Sequence, residues 1–189
     1  MIMLKKFFLL TVLGVFSSNL FAHGNEWIAA AVLIKDTKWT PIQISVWPVH
    51  LCSPRTDVYG LAVSPGLVGF ADKVYGISSG IIFLQNENFG VTAGIYSFGV
   101  KNNGISLGII NSWESNDGIS IGAANCIYNN SGRNILQIGV FNYAKNGLQI
   151  GIFNTTSNGG VQIGLLNYNP KSYIPWLPFV NWDMGREEK

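Results

Sequence analysis

The chain reads as an all-β repeat protein, a β-solenoid of short coils of about 14 residues, with an antiparallel meander or closed β-barrel as the alternative. Three observations predict this. A short motif recurs between Tyr59 and Tyr168, clearest as Gly147-Leu-Gln-Ile-Gly-Ile-Phe-Asn154 and Gly160-Val-Gln-Ile-Gly-Leu-Leu-Asn167. Its second glycine falls at Gly80, Gly94, Gly108, Gly122, Gly139, Gly151 and Gly164, at intervals of 14, 14, 14, 17, 12 and 13 residues. Within each copy apolar and polar or small residues alternate with period 2, the signature of a strand, and no helical period is present.

The order of elements begins with a leader. Lys5 and Lys6 precede an apolar stretch, Phe7 to Phe16, and Leu20-Phe21-Ala22 offers a small residue for cleavage, so residues 1–22 read as a secretory signal peptide. The apolar stretch is about half the ~20 residues that a membrane-spanning helix needs. Residues 23–58 read as an N-terminal β cap, with β-like runs from Trp27 to Ile34 and from Pro41 to Val49. Residues 59–168 form the repeat region. Residues 169–189 form a proline- and aromatic-rich cap and tail, in which Pro170, Pro175 and Pro178 lack the backbone donor of a regular ladder. The tail aromatics are expected to fold over the last copy and cover its open end.

Inside the repeats, strict alternation sorts the side chains into two faces. Ile105, Leu107 and Ile109 typify one, and Ser106, Gly108 and Ile110 the other. By the same parity Asn111, Asn125, Asn142, Asn154 and Asn167, each three residues after the glycine, share the edge of the aliphatic face. Stacked asparagines bond backbone groups of their own and the next copy, so they are read as structural. The mid-strand glycines Gly108, Gly122, Gly139, Gly151 and Gly164 are structural repeat positions as well, because glycine weakens a strand unless something approaches the backbone closely. The dipeptides Asn103-Gly104, Asp117-Gly118, Asn146-Gly147 and Gly159-Gly160 are turn signals that supply positive φ. The stripe Tyr96, Ile110, Phe141, Phe153 and Leu166 is a candidate interaction surface.

Charge narrows the function classes. The chain has 12 Lys+Arg and 10 Asp+Glu; without Lys5 and Lys6 the balance is 10 against 10. With no basic cluster there is no footprint for nucleic acid. From Tyr59 to Tyr168 only Asp72, Lys73, Glu87, Lys101, Glu114, Asp117, Arg133 and Lys145 are ionised, a sparse set that suits a packed, assembled or membrane-contacting protein. His50 and Cys52 lack the second pair of ligands that a metal site wants. Cys52 and Cys126 read as two small, partly buried residues rather than a disulfide. No nucleophile elbow, phosphate loop or His-Glu helix motif occurs, so no catalytic, cofactor-binding or metal-binding residues are assigned and the chain is read as non-enzymatic.

These pieces resemble an uncharacterised family of exported bacterial surface-repeat proteins. The resemblance rests on Asp57-Val58-Tyr59-Gly60-Leu61, Val74-Tyr75-Gly76, the serial Gly-Leu-Gln-Ile-Gly-Leu-Phe-Asn type units and the closing Pro175-Trp-Leu-Pro-Phe-Val-Asn-Trp182. It covers the chain from about Pro41 to Trp182 and implies an exported location, at the cell surface, outer membrane or periplasm, without supplying an activity or cofactor. The early copies depart from it, with Phe83 and Ser97 where the asparagine belongs. The expected function is a non-enzymatic exported repeat protein with a structural, interaction or adhesion role toward a protein, glycan or envelope component. The alternative is a small outer-membrane β-barrel.

Overall fold

The computed structural model describes residues 31–34, 37–47, 49–128 and 134–183, so the expected leader and the end of the tail lie outside the described residues. Twelve strands follow one another: β1 (Ala31–Ile34), β2 (Trp39–Val46), β3 (Val49–Cys52), β4 (Asp57–Val74), β5 (Ile77–Asn88), β6 (Val91–Asn102), β7 (Ile105–Asn116), β8 (Ile119–Ile127), β9 (Leu136–Ala144), β10 (Leu148–Thr156), β11 (Val161–Tyr168) and β12 (Trp176–Trp182). They hydrogen-bond in the order β1-β3-β2-β4 and then consecutively to β12.

Every neighbour pair from β4 to β11 is parallel, and all keep one register except β4–β5, which shifts between Ser64 and Val68. Ile105 pairs with Ile119, Gly108 with Gly122 and Asn111 with Asn125. The register advances by the same steps as the sequence motif: Ile119 meets Leu136, Leu136 meets Leu148 and Leu148 meets Val161. This is the β-solenoid, and parallel pairing rules out the antiparallel meander and the antiparallel barrel. Two flat parallel strands cannot be joined by a two-residue turn, because the chain must first travel back. Asn103-Gly104 joins β6 to β7 only because each strand bends around the coil and returns within its own length. That is why β5, β6 and β7 each run 12 residues rather than the seven or eight that the motif alone suggests.

The bend also corrects the assignment of faces. Pairing is interrupted at Ile95 and Ile109, between Gly94/Gly108 and Tyr96/Ile110. Ile109 and Ile110 both turn outward there, and parity inverts. The asparagines therefore lie inside the coil, not at the edge of the aliphatic face: Asn111, Asn125, Asn142, Asn154 and Asn167 are all buried, whereas Ile105, Leu107 and Ile109 are exposed.

The turn glycines are needed for a reason other than the one their dipeptides suggest. Among the five glycines of these dipeptides, Gly147, Gly159 and Gly160 have positive φ, but Gly104 and Gly118 do not. A Cβ on Gly104 would instead occupy the space of the Gly90 carbonyl in the preceding coil, and one on Gly118 that of Gly104. Close stacking of coils, rather than a left-handed turn, selects glycine there.

Each end of the ladder carries strands outside the repeat pattern. At the start, β3 folds back antiparallel on β2, and the buried Gln43 side chain donates to the Cys52 carbonyl and accepts from its amide, both at 2.9 Å. Trp39–Val46 pairs directly with β4, so this part of the N-terminal cap is already a rung of the sheet. At the far end the tail does join the ladder, as an antiparallel strand against β11 with a register shift between Gly164 and Asn167. Its aromatics do not cover the end as expected. Trp176, Phe179 and Trp182 are exposed, and the backbone of β12 provides the cover. Pro178 and Phe179, whose φ is +69°, leave an irregular outer edge that does not template a further strand.

Candidate functional site

The inside of the coil is largely polar, interrupted by two small apolar clusters, one around Phe83 and one of Trp113, Ile127 and Ala144. Asn111, Asn125, Asn142, Asn154 and Asn167 form a continuous ladder in which each Nδ2 donates to the next Oδ1, at 2.9, 2.9, 2.8 and 2.8 Å. The same amides also donate to the carbonyls of Ile121, Ile138, Ile150 and Ile163. These carbonyls belong to the residue before each repeat glycine, just ahead of the bend, so the asparagine both satisfies a backbone acceptor and links coils. The ladder starts at Asn111 because Ser97 holds that position in the preceding coil, and in the coil before it Phe83 packs into a small apolar cluster with Val58, Ala62, Ala71 and Val74. It ends when Asn167, lacking a next asparagine, donates to the Leu177 carbonyl of β12 at 3.1 Å.

Two further ladders were not singled out in the sequence. Asn88, Asn102, Asn116 and Asn134 are linked at 2.7, 2.6 and 2.8 Å. Gln137, Gln149 and Gln162 are linked at 2.9 and 2.8 Å. The signal for the first was present in the 14-residue spacing of Asn88, Asn102 and Asn116. The repeat glycines sit against the ladder that runs from Asn111 to Asn167. A Cβ on Gly108 would come within 2.8 Å of the Gly94 carbonyl oxygen and 2.9 Å of Asn111 Oδ1. On Gly151 it would meet Asn142 Nδ2 at 2.6 Å. Gly122, Gly139 and Gly164 are crowded in the same way. Asn154-Thr155-Thr156 matches the acceptor pattern for N-glycosylation, but Asn154 is a buried ladder member.

With polar ladders occupying much of the interior, the aliphatic residues of the repeat rows face outward. One row runs in register from Ile42 and Leu61 through Ile105 and Leu148 to Val161 and Trp182. A second runs from Ile44 through Leu107 and Ile150 to Val180. Outside them lie Ile81, Ile95, Ile109, Ile152 and Leu165, all exposed, with Leu165 at 61%. Tyr96, Ile110, Phe141, Phe153 and Leu166 occupy one register line just across the bend, and Phe141 and Phe153 stack at 5.0 Å. The predicted stripe and the aliphatic face thus form one continuous outer surface. At the turn edge Tyr59, Tyr75 and Phe89 stack at 4.5 and 4.6 Å and border the same face.

Among the described residues, no Lys, Arg, Asp or Glu lies on this surface between β5 and β11. Glu87, Lys101, Glu114, Asp117 and Lys145 all follow the asparagine bend, on the reverse side of the coil. There Lys73 pairs with Glu87 at 2.7 Å and Lys101 with Asp117 at 3.2 Å. The Glu87 hydrogen bond and charge raise the Lys73 ammonium above its ordinary value. Burial, and then the charge of Asp72, raises the Asp57 carboxyl.

His50 and Cys52 are directed into the N-terminal cap. His50 is fully buried, with Nδ1 3.0 Å from Ser45 Oγ and its ring edge-on to Phe70. Burial lowers its pKa. Cys52 and Cys126 are both buried free thiols, and burial pushes Cys126 up to about 11, which holds it protonated at neutral pH. The structure thus brings together the repeat glycines with the asparagines, and the stripe with the aliphatic rows. The two cysteines stay apart. Comparison with protein-family models, curated proteins and solved structures gave no significant match.

Proposed function

We propose that this chain is a non-enzymatic exported repeat protein, residing at the cell surface or in the periplasm, whose role is structural or interactive. The observation that carries this reading is the uncharged aliphatic face, which extends over ten consecutive strands of the sheet, β2 and β4 to β12. Soluble monomers rarely leave a contiguous apolar patch larger than a few hundred Å² open to water, and one of this size marks a contact surface. A rigid ladder of hydrogen-bonded coils is suited to presenting such a surface and does not require a cleft. The basic and apolar opening of the sequence and its resemblance to exported surface-repeat proteins support the location.

Fractionation of cells making the full chain tests the reading. Recovery of a processed protein in the envelope or osmotic-shock fraction, with a new N-terminus near His23, is the expected result. An unprocessed chain confined to the cytosol would overturn it.

A further inference from the structure

The aliphatic face has one occupant that its dimensions and chemistry favour. Nine inter-strand steps of ~4.8 Å separate β2 from β12, and the three outward positions span four residues of ~3.3 Å, so the face measures about 43 Å by 13 Å. Its projected area is on the order of 600 Å², before the relief of the side chains is counted. A standard stable interface covers about 800 Å² on each partner. The surface consists of rows that keep one register from strand to strand between β5 and β11. Among the described residues it carries no Lys, Arg, Asp or Glu between β5 and β11, so an identical copy laid against it meets neither like-charge repulsion nor an unpaired buried charge there.

We propose, building on the interaction role above, that the face is covered by a second copy of this chain, in an isologous dimer of two solenoids packed sheet to sheet. Such a dimer pairs one patch with itself and closes without leaving a further apolar edge. Sheets packed face to face sit ~10 Å apart with interdigitated side chains, and the regular rows of Ile, Leu and Val supply side chains of that kind. A lipid surface fits less well. Peripheral helices and segments that settle on anionic membranes carry Lys and Arg beside their apolar face. Here the described lysines of the repeats, Lys73, Lys101 and Lys145, lie on the reverse side.

Leu107 occupies the middle row of β7, close to the centre of the ten-strand face. It therefore falls near the centre of the interface whichever in-plane two-fold axis relates the copies.

Sedimentation of the purified chain should give a dimer at micromolar concentration. Leu107→Glu should weaken the association by ~100-fold or more by placing an unpaired charge in a dry interface. Val100→Glu, on the reverse side, should leave it unchanged. Should Leu107→Glu fail to fold, Leu107→Cys with a short bis-maleimide keeps the question open to measurement, and the introduced thiol should cross-link two copies in high yield. A wild-type monomer throughout the micromolar range would overturn the dimer. So would a chain that floats with uncharged phosphatidylcholine vesicles while remaining monomeric, since lipid would then be the cover. Either result would leave the exported location standing, and a cytosolic dimer would do the reverse.

Discussion

Asn142 donates its side-chain amide to Asn154 Oδ1 at 2.8 Å, and Asn154 makes the same bond to Asn167 at 2.8 Å. Asn154 Nδ2 also donates to the Ile163 carbonyl at 3.0 Å. One side chain thus joins three coils and satisfies a backbone acceptor. Asn154→Ala should cost roughly 1–3 kcal/mol, the penalty for orphaning buried polar groups. Asn142→Ala combined with Asn154→Ala should be non-additive, since the two residues share one network. Chemical denaturation of the two single variants and the double variant measures this, and simple additivity would count against the coupled ladder.

The glycine behind that ladder is equally constrained. A Cβ at Gly151 would lie 2.6 Å from Asn142 Nδ2 and would also collide with the backbone carbonyl of Gly139. Gly151→Val should therefore destabilise by about 1–3 kcal/mol or more, because backbone atoms have to move. An unchanged melting temperature would show that the coils are not stacked this closely.

His50 gives a pH signature. Its folded-state pKa is lowered from the ordinary 6.5 by burial, so the unfolded chain takes up the proton first as pH falls. The stability it contributes is fully present above the unfolded value of 6.5 and is lost as pH drops from there through the lower folded value. Denaturation midpoints of the wild type should decline on acidification below that value relative to His50→Gln. The raised carboxyl of Asp57 acts in the opposite sense in both proteins and cancels in the comparison. Parallel pH profiles would show that His50 is solvated.

The surface ion pair should matter little. Lys73 and Glu87 are partly exposed, with side-chain accessibilities of 37% and 27%. Glu87→Gln should change stability by less than about 1 kcal/mol, and less still at high salt. A larger loss would mean that the reverse side of the coil, rather than the ladders inside, holds the solenoid together.

The architecture was legible in the sequence because stacked parallel coils require like residues to meet like. The spacing of Gly108, Gly122, Gly139, Gly151 and Gly164 equals the register of the strands. Which face points inward was not legible. Period-2 parity holds only along an unbent strand, and the bend at Ile109 inverts it, so Asn111 belongs with Ser106 inside rather than with Leu107 outside. The usual expectation that aliphatic side chains are buried points the same wrong way. A narrow coil with carbonyls exposed just ahead of each bend needs amide donors more than methyl groups. The tail misled for a related reason. Pro178 cannot donate, but an edge strand presents one side to solvent, so β12 pairs with β11 despite it.

The in-register parallel winding underlies the ladders and the outer face alike, and a distance between spin labels tests it most directly. Leu84 of β5 and Thr155 of β10 belong to one register line, passing through Phe98, Ser112, Cys126 and Tyr143. Five strand spacings of ~4.8 Å separate them, so labels at these positions should give a pulsed dipolar distance of about 24 Å. In an antiparallel meander β5 and β10 would run in opposite directions, and the two sites would sit at opposite ends of their strands. A distance near 35 Å, which adds an offset of about eight residues of ~3.3 Å, would contradict the solenoid.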